Sequence, residues 1–225
     1  MATQTEQISR VGEYHGYSEP LYDGWVRRSQ YVEARDGTRL AVDVYRPTRN
    51  GVVEERPLPV AWTAKRYLRA TVRDGRLATM ADLPHAAAMP AMDSPAARKL
   101  SAHGYVLAAA DMRGTGASFG NWTECSDPAA RTDGYDVNEW LASQPFCDGS
   151  VGMFGVSYEG RMQLEVASSG PPSLKAIVPE VSPYDWYTII HQGGSYSRFF
   201  SMFAPRIGAQ DRDPSMAPVD DDRDG

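Results

Sequence analysis

Short apolar runs alternate with helical segments along the middle of the chain, and this alternation limits the possible folds more than any other feature. The apolar runs are strand-like and occupy residues 59–63, 105–111, 151–155 and 174–178. The segments with helical periodicity occupy residues 96–103, 132–144 and 159–168. Strands that alternate with helices through short connections build a parallel sheet covered by helices. We therefore predict an α/β fold with a mostly parallel sheet.

The pattern changes on both sides of this region. Residues 31–45 are predicted to form a hairpin, because Asp36-Gly37 is a strong two-residue turn signal between two strand-like runs. From Tyr184 onward the alternation stops, and an aromatic segment predicted to be helical precedes a polar, acidic tail. We divide the chain into an N-terminal arm, a core, and a cap segment with its tail, at 1–28, 29–183 and 184–225.

Composition excludes several classes of protein. The chain has 225 residues, a net charge of −6 and an apolar content of 42%, which indicates a globular protein and disfavours nucleic-acid binding. No stretch approaches the roughly 18 apolar residues of a membrane span, and no signal peptide is apparent, so we expect a cytoplasmic location and no membrane partner. The two cysteines, Cys125 and Cys147, are not in a metal-binding spacing and are expected to be reduced.

The strongest functional signal is a serine between a predicted strand and a predicted helix, in the run Gly155-Val156-Ser157-Tyr158-Glu159-Gly160. A tight turn in that position exposes the serine oxygen as a nucleophile. The backbone N–H of Tyr158 would lie at a helix N-terminus, where the helix dipole favours an oxyanion. The general Gly-x-Ser-x-Gly pattern is broken by Glu159. On this pattern alone, a purely structural turn remains the alternative.

Further motifs appear in order along the chain. They are the hairpin segments 35–40 and 43–47, the run Asp111-Met112-Arg113-Gly114-Thr115-Gly116-Ala117-Ser118 after Gly104-Tyr105, and the segment 139–149 that leads through Val151-Gly152-Met153 to the serine turn. Together they resemble the α/β-hydrolases related to X-Pro dipeptidyl-peptidases, cocaine esterase and α-amino-acid ester hydrolases. The resemblance covers about residues 29–200. That family's turn is Gly-x-Ser-Tyr-x-Gly, which this chain matches in full.

The resemblance implies an α/β-hydrolase fold with Ser157 as the nucleophile. It also implies two oxyanion donors, the backbone N–H of Tyr158 and the hydroxyl of Tyr67. Lys65-Arg66 precedes this tyrosine, where the family has a proline directly before it. A tyrosine that merely packs under the loop is therefore the alternative for Tyr67. No metal or organic cofactor is implied.

The catalytic base and acid are less evident. In this fold the acid and the histidine follow the nucleophile along the chain, and the only histidine after Ser157 is His191. It lies where the family's helical cap begins, so we interpret it as structural or cap-lining rather than as the base. Asp185 is the acid only in a variant arrangement. We therefore expect that residues 1–225 are the N-terminal part of a longer hydrolase, or a truncated product, that ends within the cap.

These observations predict a serine hydrolase that cleaves an ester or amide bond through an acyl-enzyme on Ser157. The expected substrate is a small molecule: an X-Pro peptide, an α-amino-acid ester or another small ester. Two alternatives remain open, a non-catalytic binding module with the same fold and an acyltransferase that uses the same acyl-enzyme. The oligomeric state is not predicted.

Overall fold

The computed structural model describes residues 18–70, 94–122 and 128–199, with separate positions at 12, 72–73, 76–77, 92, 201–202, 205 and 208. Most of the predicted arm, the acidic tail and Cys125 lie outside the described residues. Cys147 is a free, buried thiol, and burial raises the pKa of its side chain.

Nine strands and four α-helices have both of their ends within the described part of the chain. The strands are β1 (Gly24–Glu33), β2 (Arg39–Arg49), β3 (Val52–Val53), β4 (Leu58–Lys65), β5 (Val72–Arg73), β6 (Arg76–Leu77), β7 (Val106–Asp111), β8 (Cys147–Val156) and β9 (Leu174–Glu180). The helices are α1 (Pro95–Ala102), α2 (Pro128–Ser143), α3 (Tyr158–Ser168) and α4 (Trp186–Ile190). A short 3₁₀ turn, Gln192–Gly194, follows α4.

Seven of the strands form one mixed sheet. Its order is β1-β2-β7-β4-β8-β9, and β3 pairs with β2. β7, β4, β8 and β9 run parallel to one another, whereas β2 pairs antiparallel with each of β1, β3 and β7. The predicted α/β fold is therefore confirmed, with an antiparallel N-terminal half attached to the predicted parallel strands.

Helices cover both faces of this sheet. α2 and α3 pack on one face over a core that includes Trp62, Val137 and Met162. α1 packs on the other face over a smaller cluster around Leu107 and Ala109. All six residues of β7 are buried, because this strand has neighbours on both sides and helices on both faces.

Several boundaries differ from the sequence prediction. β1 begins at Gly24, so residues 24–28 belong to the sheet rather than to the predicted arm. β2 continues through Pro47 to Arg49, four residues beyond the predicted end of the hairpin at residue 45. Pro47 lies beyond the part of β2 that pairs with β7, Val42–Tyr45, where a strand tolerates a residue without an N–H. α2 begins at Pro128, a favourable first helical residue.

β9 is the last strand at its side of the sheet in the described part of the chain. Most of its residues are exposed, including Val178 at 54%. The buried amide of Gln163 on α3 bonds both the N–H (2.7 Å) and the carbonyl (3.1 Å) of Val178, and it also reaches the carbonyl of Gly155 at 3.3 Å. These bonds attach α3 to the carboxyl ends of β8 and β9.

None of the helices in the described ranges is both long enough and apolar enough to traverse a lipid bilayer.

Candidate active site

Ser157 occupies the turn between β8 and α3, where the sequence predicted it. Its backbone has a φ of 63° and a ψ of −118°, a strained conformation for a residue with a side chain. The backbone N–H of Ser157 donates to the carbonyl of Glu180 at 2.9 Å, which holds the turn at the end of β9. The side chain is exposed and does not cap α3. The serine therefore lies exposed to solvent at the carboxyl end of the sheet.

Two glycines flank the serine because the turn is crowded. A Cβ on Gly160 would lie 2.8 Å from the carbonyl oxygen of Glu180. A Cβ on Gly155, whose φ is 147°, would lie 2.7 Å from the Cβ of Glu159. Side chains at these positions would push α3 away from β8 and β9, so the motif's two glycines are required by packing.

We expect Gly155→Ala to lower the free energy of unfolding by about 1–3 kcal/mol, because it adds a clash to an unfavourable φ. Gly149→Ala is the matched control: its φ is also positive, at 88°, but no atom lies within 4 Å of the added Cβ. In urea unfolding, the control should lose less of the free energy of unfolding than Gly155→Ala does. Equal losses in the two variants would contradict the crowding argument.

Tyr158 begins α3, so its backbone N–H lies at the positive end of the helix dipole. The ring is 5% exposed and contacts two other aromatic side chains. Tyr67 packs edge-on against it with ring centroids 6.4 Å apart, and Trp186 at the start of α4 lies 5.8 Å away. The structure therefore brings Tyr67, two residues beyond the end of β4, next to the serine turn. Leu68, which follows it, has a positive φ of 66°.

Two charged residues close to the predicted site residues form a buried ion pair. Lys65 Nζ and Glu159 Oε1 form an ion pair at 2.8 Å, and both side chains are almost fully buried. The Thr63 hydroxyl donates to the second carboxylate oxygen of Glu159 at 3.2 Å. The sequence gives little indication of this pair. Its only signal is the opposite charge of two residues that each lie within two positions of a predicted site residue.

A second buried charge network holds the segment that carries Tyr67. The Asp111 carboxylate accepts the backbone N–H of Arg69 at 2.6 Å and that of Ala117 at 3.1 Å. Burial raises the pKa of Asp111 to about 6, although the neighbouring Arg69 guanidinium opposes the increase. The side chain of Arg69 is completely buried and lies 3.5 Å from Asp43, which in turn pairs with Arg27 at 2.9 Å. The network joins β2, β7 and the loop after β4.

The two other candidate residues are not joined to Ser157. Asp185 caps α4 by accepting the N–H groups of Tyr187 (3.0 Å) and Thr188 (2.9 Å). The Thr188 hydroxyl and these N–H groups lower the pKa of Asp185. His191 stacks on the Tyr187 ring at 4.9 Å, and its Nδ1 has no hydrogen-bond partner among the described residues. In the described part of the chain the Asp185 carboxylate thus serves as a helix cap, and no hydrogen bond joins His191 to Ser157.

The remaining histidines do not change this picture. His103 ends α1 and contacts the Ser18 hydroxyl at 3.0 Å, whereas His15 and His85 lie outside the described residues. Within the ranges that the structure describes, no group of three or more histidine, cysteine or carboxylate side chains could hold a metal ion.

A mixed sheet in this strand order, with helices on both faces and a strained serine turn at the carboxyl end of a parallel strand, defines the α/β-hydrolase fold. Residues 36–218 match the family described as X-Pro dipeptidyl-peptidase (S15 family), and the chain belongs to this family. The family resemblance noted in the sequence is thereby confirmed.

Relatives of this chain include esterases and peptidases. The Mycobacterium bovis protein named "Putative serine esterase Mb1866c" is 33% identical over 225 residues, which cover 91% of this chain and 35% of that protein. The cocaine esterase of a Rhodococcus species is 36% identical over 156 residues, which cover 69% of this chain and 23% of the esterase. The chain thus spans about a third or less of the length of these two relatives.

Solved structures show the same fold. A CocE/NonD family hydrolase from Staphylococcus aureus superposes with a TM-score of 0.67 and 25% identity, over 96% of this chain and 40% of that one. An α-amino acid ester hydrolase superposes with a TM-score of 0.54 and 26% identity, over 84% of this chain and 30% of that one. Other curated relatives bear the name Xaa-Pro dipeptidyl-peptidase, so the relatives' names describe hydrolases of ester or peptide bonds.

Proposed function

We propose that this chain provides the nucleophile and the oxyanion site of a serine hydrolase. The observation that carries the proposal is the exposed Ser157 on its strained turn between β8 and α3. In this reaction the Ser157 oxygen attacks the carbonyl carbon of an ester or amide. The alcohol or amine then leaves, and water releases the acid from the acyl-enzyme. The substrate is an X-Pro peptide, an α-amino-acid ester or another small ester, as the relatives' names suggest.

The negative charge on the carbonyl oxygen would be stabilised by two donors, the backbone N–H of Tyr158 and the hydroxyl of Tyr67. The contact between the two tyrosine rings, at 6.4 Å, supports this assignment because it places both residues beside the turn. The first donor also benefits from the dipole of α3. Donors of this kind act on the charge that develops in the transition state, and each contributes about 10²–10³ in rate.

The base and the acid are the parts that the described residues do not supply. A serine hydroxyl is a weak nucleophile until a neighbouring base removes its proton. Asp185 is used as a helix cap, and His191 makes no hydrogen bond to Ser157 in the described part of the chain. We propose that the base and the acid come from residues that follow this segment in a longer protein.

A fluorophosphonate probe tests the proposal, because it forms a stable adduct only with an activated serine. The purified chain would be treated with the probe over a range of imidazole concentrations, so that imidazole replaces the missing base, and the adduct mapped by peptide mass spectrometry. We expect an adduct on Ser157 that forms faster as imidazole rises and is absent in Ser157→Ala. No Ser157 adduct at any concentration would favour the non-catalytic binding module. Product analysis with an added amine would identify an acyltransferase.

Tyr67→Phe tests the second oxyanion donor. We expect it to slow the imidazole-dependent labelling of Ser157 by about 10²–10³, because the variant keeps the ring but loses the hydroxyl. Tyr31→Phe is the matched control, since Tyr31 lies on β1 at the opposite edge of the sheet and contacts Phe119. It should label at the unmodified rate. A Tyr67→Phe chain that labels equally fast would show that Tyr67 only packs beside the turn.

A further inference from the structure

The buried ion pair between Lys65 and Glu159 joins two segments that are far apart in the sequence. Lys65 is the last residue of β4, and Glu159 is the second residue of α3. Their side chains are only 4% and 5% exposed, and the nitrogen and oxygen are 2.8 Å apart. The hydroxyl of Thr63 occupies the other carboxylate oxygen. Each of the two carboxylate oxygens therefore accepts a hydrogen bond from a side chain of β4.

These two segments carry the two proposed oxyanion donors. Tyr67 lies two residues beyond Lys65, and Tyr158 directly precedes Glu159. Each segment also contains a non-glycine residue with positive φ, Leu68 at 66° and Ser157 at 63°. Such conformations persist only where surrounding contacts hold them. The ion pair is one such contact, and it acts on both segments at once.

The pair also offsets an unfavourable negative charge at the start of α3. A carboxylate in the first turn of α3 would repel the negative charge that forms on a substrate carbonyl at the same helix end. The ammonium group of Lys65 offsets that charge at close range. Buried ion pairs contribute little net stability compared with well-packed apolar residues. Their directed geometry is what an apolar contact does not reproduce.

We propose that Lys65 and Glu159 are positioning residues that set the placement of the Tyr67 side chain relative to the start of α3. The role of the two tyrosines as oxyanion donors rests on the proposed function. The placement of the Tyr67 side chain does not depend on that function. The placement and the oxyanion role are therefore tested separately. Neither Lys65 nor Glu159 is proposed to touch the substrate.

The experiment uses the whole chain with 3-fluorotyrosine incorporated at position 67, so that ¹⁹F NMR reports the surroundings of this one ring. The main variant replaces both partners, Lys65→Met with Glu159→Leu, because it leaves no unpaired buried charge and is expected to fold. Glu159→Gln alone is the conservative variant. Arg35→Met is the control, since it breaks another ion pair, Arg35–Asp136 at 2.7 Å, whose partners lie on the hairpin and α2.

We expect one ¹⁹F resonance in the unmodified chain and the same resonance in Arg35→Met. The double variant should unfold cooperatively in urea and yet show a displaced or split resonance, because the remaining contact is not directional. Glu159→Gln, if folded, should show a displacement too. In parallel, imidazole-assisted fluorophosphonate labelling of the double variant should slow by about 10²-fold, the cost of a small misplacement of catalytic groups.

An unchanged ¹⁹F resonance in the folded double variant would overturn the proposal, because the pair would then be replaceable by any well-packed contact. If the resonance moves but the unmodified chain takes no label on Ser157, the proposed function fails while the positioning of Tyr67 is supported. If the resonance moves and labelling slows in the double variant, both are supported.

Discussion

Residues 1–225 alone are expected to hydrolyse p-nitrophenyl acetate about 10⁶-fold more slowly than an enzyme with a complete triad, the cost of losing the histidine from such a unit. The described residues place no imidazole in hydrogen-bond contact with Ser157, so its hydroxyl stays protonated. The oxyanion site alone can retain a rate enhancement of about 10³–10⁴ over the reaction in water. The measurement is the rate of p-nitrophenol release by the gel-filtered chain, at several protein concentrations.

Two variants make this expectation testable. Ser157→Ala should lower the residual rate only slightly, because without a base the serine adds little to what the oxyanion site provides. His191→Ala should leave the rate unchanged, because His191 contacts Tyr187 and Tyr196 rather than the serine. Rapid hydrolysis that disappears in both variants would contradict the prediction. It would show that His191 reaches Ser157 in solution and acts as its base.

The largest effect on stability is expected for Asp43→Asn. The Asp43 carboxylate is completely buried and binds Arg27 through two bonds of 2.9 Å, with Arg69 at 3.5 Å. Removing its charge leaves two guanidinium groups without one of their counter-ions. Breaking a buried pair in this way costs about 3–5 kcal/mol of the free energy of unfolding. The urea midpoint, determined with the unfolding slope, measures the loss.

Glu55→Gln is the control for Asp43→Asn. Glu55 also pairs with an arginine, Arg46 at 3.0 Å, but its side chain is 81% exposed, so water already solvates the charge. The control should therefore leave the urea midpoint close to that of the unmodified chain. If Asp43→Asn also leaves the midpoint unchanged, the buried network does not stabilise the fold as we infer.

The residues of the serine turn are neighbours in the chain, whereas the residues of the buried ion pairs are far apart in the sequence. The turn at Ser157 is local: a strand, two glycines and a helix lie within residues 151–168, and their order alone predicts an exposed serine. The parallel strands were predictable for a similar reason, since apolar runs and helical periodicity are local patterns. Even the order of the motifs, which supports the family, is a property of the linear sequence.

The ends of strands and the functions of charged side chains were less predictable. The β1 strand starts at Gly24 because it pairs with β2 as far as Thr48, and a local pattern does not report a distant partner. Asp185 reads as a possible catalytic acid in the sequence, but in the structure its carboxylate caps α4. Short polar side chains serve as caps or as catalytic groups according to their surroundings.

The sequence by itself determined the α/β class, the serine turn and the family, because each depends on the spacing of neighbouring residues. Only the tertiary structure decided that Lys65 pairs with Glu159, and that Asp111 holds the backbone of Arg69. Lys65 and Glu159 are 94 residues apart, and Arg69 and Asp111 are 42 apart. Burial decides which charged groups must find partners, and the order of strands in the sheet decides which partners are within reach.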